Sequence, residues 1–118
     1  MSYDIELQDP MTGQVIELDS PHHMKGGTYA VGGTKLAEMN ITYNYHKHFY
    51  ELFGEKGIRF IYGKTAAETI VDLQKGADLL ADDVSDDYWE PTEGNAKAAI
   101  MQLIALAQMR PDGIWDGD

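Results

Sequence analysis

The sequence predicts an α+β fold, with an N-terminal β-hairpin and a small antiparallel sheet packed against C-terminal helices. Three observations carry this prediction. Apolar and polar residues alternate near the N-terminus, helical spacing takes over from about Tyr45, and the two patterns do not interleave. Strands first and helices after is the order of an α+β chain. A length of 118 residues suits one domain over 1–118, since domains hold roughly 100–200 residues.

Residues 3–18 read as the hairpin. Tyr3, Ile5 and Leu7 alternate with Asp4 and Glu6, and Val15, Ile16 and Leu18 follow the turn residues Asp9-Pro10-Met11-Thr12-Gly13. A period of two puts the apolar side chains on one face, while Pro10 and Gly13 supply turn dihedrals. Residues 19–34 form a loop, in which Gly26-Gly27 and Gly32-Gly33 flank a short strand Thr28-Tyr29-Ala30-Val31. Leu36, Met39 and Ile41 lead into Thr42-Tyr43-Asn44-Tyr45, whose β-branched and aromatic content favours another strand.

The period then changes. Tyr45, Phe49, Leu52 and Phe53 lie at i, i+4, i+7 and i+8, the spacing of an amphipathic helix that Gly54 stops. Gly57 to Gly63 reads as a short helix or turn. Thr65, with Glu68 three positions on, forms a capping box for a helix whose apolar face is Ile70, Leu73, Ala77 and Leu80. After the polar link 82–87, where Asp86 and Asp87 suit the start of a turn, the last helix begins at Thr92 or Asn95. It ends at Met109, before Pro111, and buries Ala99, Ile100, Leu103, Ile104 and Ala107.

Composition narrows the function. Hydrophobic residues make up 43% and charged residues 25%, as in a globular chain. There is no cysteine, which excludes a disulfide framework, a thiol nucleophile and a thiolate metal site. The polar, acidic start carries no signal-like segment, and the longest apolar run is shorter than the ~20 residues of a membrane span. A soluble, cytoplasmic protein without a membrane partner is expected. The net charge of −11 repels phosphate at long range and argues against a general nucleic-acid binder. Solubility accounts for much of that charge. It also leaves room for a basic protein partner or a local basic pocket.

No catalytic or cofactor pattern emerges. His22-His23 and His46, His48 are metal-type residues. However, neighbouring histidines diverge, and i, i+2 positions on a helix lie about 200° apart. Only Ser2, Ser20 and Ser85 are available as serine nucleophiles, none in an elbow motif. The carboxylates between Asp82 and Glu93 read as a solvated face, and the glycine pairs match no phosphate-cradling fingerprint. Neither an enzyme nor a cofactor is therefore expected.

What stands out is a set of aromatic and amide groups with a few cations. Tyrosine and tryptophan offer faces for flat ligands. Lysine and arginine neutralise phosphates. Tyr43, Asn44, Tyr88 and Trp89 are the candidates for stacking and amide contacts, with Lys25, Arg59 and Lys97 for phosphates. For Tyr45 and Tyr62, core packing is the stronger reading.

Five blocks of the chain carry a resemblance. They are His22 to Ala30, Asn40 to Tyr45, Gly57-Ile58-Arg59, Asp86-Asp87-Tyr88-Trp89 with Thr92 to Lys97, and Met109 to Gly113. Together they resemble a family of small proteins carried by phages and prophages of Firmicutes type, and the likeness covers nearly the whole chain. It implies a context, the cytoplasm of an infected host cell, and not an activity. By analogy with other small phage proteins, it implies a counter-defence protein that sequesters a nucleotide-derived signal, as a homo-oligomer. The alternatives are an acidic inhibitor of a host defence protein such as a nuclease, motivated by the acid-rich stretch Asp72 to Glu93 with its single lysine, and a structural or assembly protein of the phage particle.

Overall fold

A computed structural model describes residues 2–23 and 33–118. Strand β1 (Ser2–Gln8) is the middle of a three-stranded antiparallel sheet, between β4 (Glu38–Thr42) and β5 (Ile114–Gly117). A second, two-stranded sheet pairs β2 (Glu17–His22) with β3 (Thr34–Leu36). The helices are α1 (His46–Phe53), α2 (Ala66–Asp78) and α3 (Glu93–Met109), with 3-10 turns at Tyr43–Tyr45 and Gly57–Ile61. The α+β class is as the sequence predicts. Lys25 and the predicted strand 28–31 lie outside the described residues.

The alternation in β1 builds the sheet's inner face. Tyr3, Ile5 and Leu7 are buried and lie opposite Ile41, Met39 and Trp115, which are buried as well. These side chains join Phe49, Ile58, Leu73, Ile100 and Leu103 in one apolar core. Trp115 fixes sheet to helix through its indole N–H, which donates to Thr69 Oγ1 at 2.9 Å inside the core.

The hairpin turn forms, but its second arm takes another path. Asp9 N donates to Gln14 O and Ile16 N to Leu7 O, at 2.8 and 2.9 Å. Beyond Ile16 the chain leaves β1 and pairs with β3. The segment Glu17-Leu18-Asp19-Ser20-Pro21 offers little to bury, and its proline cannot donate to a ladder. Met39, Ile41 and Trp115 bury more apolar surface against β1 and take its two edges.

Predicted helix ends are found where sequence placed them. Gly54 closes α1 at φ 89°, a backbone that side chains rarely adopt. Thr65 caps α2, and its Oγ1 also donates to Glu68 Oε2 at 2.8 Å. Thr92 caps α3 through Asn95 N, while Asp83 Oδ1 accepts from Gly94 N at 3.0 Å. The carboxylates at the start of α3 are thus Asp83 and Glu93, and Asp87 opens the turn at 88–89 by accepting from Trp89 N.

The outer face of the larger sheet is acidic. Glu6 lies opposite Glu38 on one side and Asp116 on the other, an arrangement of like charges that weakens a sheet. Amides knit this face: Gln8 Nε2 donates to Glu6 Oε2 and Asp116 Oδ2, both at 2.9 Å, and Asn40 Nδ2 donates to Asp4 Oδ1 at 2.6 Å. The lysine and arginine ion pairs among the described residues are elsewhere, at Lys97–Asp82 and Arg110–Asp112.

Candidate functional site

Two blocks far apart in sequence meet at the start of α1. Thr42 ends β4, and its Oγ1 accepts from Asn44 N, turning the chain into the 3-10 turn Tyr43–Tyr45. Residues 88–91 lie across this turn and are held by four hydrogen bonds. Thr42 N donates to Tyr88 Oη at 2.7 Å, and Tyr45 Oη donates to Tyr88 O. Asn44 Nδ2 donates to Trp89 O at 2.9 Å, and His48 Nε2 to Pro91 O at 2.8 Å. Asn95, buried at the start of α3, secures the other side: Nδ2 donates to Asp87 O and Glu90 O, and Oδ1 accepts from Ser85 N.

This junction walls an open groove of about 760 Å³, lined by Asn44, His46, Lys47, His48, Tyr50, Glu51 and Pro91. The size falls within the roughly 300–1,000 Å³ of small-molecule sites. His46 and Tyr50 stand one helical turn apart, with ring centroids 6.0 Å apart and edge to face. Behind His46 the ring of Tyr43 stacks in parallel at 4.6 Å, and Tyr43 in turn packs on Tyr3 at 5.2 Å. His46 Nδ1 donates to Tyr43 O at 2.8 Å. In the neutral ring that leaves Nε2 as an acceptor. Asn44, donating through Nδ2, keeps Oδ1 to accept. Lys47 and Glu51 give the groove one charge of each sign.

Of the candidates from sequence, Tyr43, Asn44, Tyr88 and Trp89 come together at this junction. Tyr88 is occupied in holding the turn, and Trp89 is half exposed with its ring edge-on to Tyr88 at 5.0 Å. Of the four only Asn44 lines the groove, and neither Lys97 nor Arg59 does. Lys97 Nζ pairs with Asp82 Oδ1 at 2.8 Å on the far side of the link, held by the acidic link that precedes its helix. Arg59 Nε donates to the main-chain oxygen of Asp118 at 2.8 Å, and its guanidinium lies 4.7 Å over the Tyr3 ring. The cation lining the groove is Lys47, which sequence reading passed over, as it did Tyr50. The available signal was the i, i+4 spacing of His46 and Tyr50, which puts both rings on one side of the helix.

The phenols of Tyr3, Tyr43, Tyr45 and Tyr62 are harder to ionise than a free phenol. Burial pushes Tyr62 up to about 12 and moves Tyr3 and Tyr45 upward as well; the hydrogen bond with Tyr50, followed by burial, raises Tyr43. Each therefore remains able to donate at neutral pH. The histidines diverge on α1, and among the described residues no group of three or more His, Asp or Glu is placed to hold a metal ion. Nor is any helix long and apolar enough to cross a membrane. Comparison with protein-family models, curated proteins and solved structures finds no match.

Proposed function

We propose that this chain is a non-enzymatic binding protein for a nucleotide-derived small molecule. The observation that carries the reading is the groove beside α1, in which ring faces, an amide and one lysine converge on a space of ligand size. A flat base lies against His46 and Tyr50, Asn44 Oδ1 and His46 Nε2 accept from its ring or exocyclic N–H groups, and Lys47 attends the phosphate. Read with the phage resemblance, the corresponding role is sequestration of a nucleotide signal of host defence.

Calorimetry against adenosine, AMP, ADP-ribose and cyclic dinucleotides tests this reading. Base stacking on one aromatic side chain contributes about 1–3 kcal/mol. His46→Ala and Tyr50→Ala should each weaken binding by roughly 5- to 150-fold. Lys97→Ala, which alters an exposed pair outside the groove, should leave binding unchanged. Absence of heat with every compound, together with an unchanged melting temperature, removes the proposal.

The acidic sheet face favours a second reading, an inhibitor that docks on a basic protein surface. Glu6 between Glu38 and Asp116 is a costly arrangement for the sheet, and a basic partner would relieve it. Neutralising Glu6→Gln and Asp116→Asn together should raise stability, by about 0.5 kcal/mol, and abolish salt-sensitive binding to a basic nuclease. Stability gained with nuclease binding intact would remove this reading.

A further inference from the structure

Between α1 and α2 lies a second groove, of about 300 Å³, which shares no residue with the one beside His46. Its floor is Phe53 and Phe60, stacked ring on ring at 4.7 Å, with Leu52 alongside. All three are half-buried and rest on the core. Gly76 lets this floor lie close against α2, for a Cβ there would stand 2.6 Å from Phe53 Cζ. At the edge of the groove is Leu79, 75% exposed. An exposed leucine is ordinary by itself. Here it stands beside an apolar hollow, so one face carries both a knob and a hole.

The charges on the rim have the same double character. Asp72 and Lys75 both line the groove, three positions apart on α2, a spacing at which opposite charges on a helix can pair. They do not pair: the ion pairs among the described residues are Lys97–Asp82 and Arg110–Asp112. Each is left to meet an opposite charge on another molecule. Lys64, whose Nζ lies 5.3 Å from the Phe60 ring centroid, adds a second cation. Copies of a chain of net charge −11 therefore meet with less repulsion here than on the acidic sheet face. A two-fold contact requires a patch that is its own complement, and this face is one in shape and in charge. A rim suited to a purely basic or acidic partner would carry one sign.

We infer that this face is the contact of a homodimer. The two α2 helices run antiparallel across the two-fold axis. Asp72 meets the partner's Lys75, and Leu79 enters the partner's groove over the phenylalanine floor. The inference does not use the nucleotide groove and is tested apart from it.

Sedimentation equilibrium of the natural protein without ligand, over a range of concentrations, should show a reversible monomer–dimer transition. Leu79→Ser should raise the dimer dissociation constant at least about tenfold, because the two-fold axis removes the leucine contact twice. The leucine is mostly exposed in the single chain, so circular dichroism of the dilute variant should match that of the natural protein. Asp72→Lys is the sharper test. It makes each chain less negative, which lowers general repulsion, yet it sets a lysine against the partner's Lys75 and should weaken the dimer. Adding Lys75→Asp restores opposite charges across the axis and should recover much of the lost affinity. A species of monomer mass at every concentration would overturn the inference. So would dimers that Leu79→Ser leaves unchanged or that Asp72→Lys strengthens, since the copies would then meet on another face.

Discussion

Trp115→Ala is expected to destabilise the protein by about 3–5 kcal/mol, the usual cost of removing a large aromatic side chain from a core. The indole is fully buried, and its N–H meets Thr69 Oγ1 in the interior. The main chain of the same residue accepts from Gly63 N at 2.9 Å and donates to Lys64 O at 3.0 Å, so the residue joins β5 to the segment that leads into α2. Domains of this size are stable by about 5–15 kcal/mol, and the variant should therefore lose a large part of its margin. Urea denaturation followed by circular dichroism measures the effect. Trp115→Phe should fall between the two, because it retains a ring and loses only the N–H and some volume. A loss below about 1 kcal/mol for the alanine variant would mean that β5 is not part of the core.

The second large effect belongs to Asn95. Its side chain is 6% exposed and makes three hydrogen bonds to the main chain of the 85–90 segment. Asn95→Ala should cost about 2–4 kcal/mol, because each lost bond of a buried group leaves an amide or carbonyl unsatisfied. Asn95→Asp should not rescue it: a carboxylate accepts and cannot donate, so it would face the carbonyls of Asp87 and Glu90. The groove should suffer with the fold, since the 88–91 segment supplies the carbonyl anchors of Asn44 and His48. Hydrogen exchange at Ser85 N offers a local check. Accelerated exchange and weaker nucleotide binding are expected, and protection equal to the natural protein would contradict the role given to Asn95.

Sequence patterns carried the helices well because each has a local cause. Thr65 and Thr92 act on main-chain groups a few residues away, and Gly54 needs only its own backbone freedom. The sheet was harder, for its partners are chosen by non-local burial. Nothing near Ile114 announces that Trp115 will face Leu7, and nothing in Glu17 to Pro21 says that Met39 and Ile41 will outcompete it for β1. The site was legible to a similar degree. Tyr43, Asn44, Tyr88 and Trp89 were singled out by residue type, and they do meet. Which of them supports the turn, and that Lys47 and Tyr50 line the groove, depends on how the 88–91 segment crosses α1. Arg59 lies over the ring of Tyr3, 56 positions earlier by their numbers, and donates to Asp118 O, contacts that residue type alone does not announce.

The most direct test of nucleotide binding at this groove is an NMR titration of the labelled natural protein with AMP and ADP-ribose, reading amide and aromatic shifts residue by residue. The account predicts saturable changes concentrated at Asn44, His46, Lys47 and Tyr50, with the acidic strand face at Glu6 and Glu38 unmoved. Shifts that are absent at saturating nucleotide, or that gather on the acidic face instead, would contradict it.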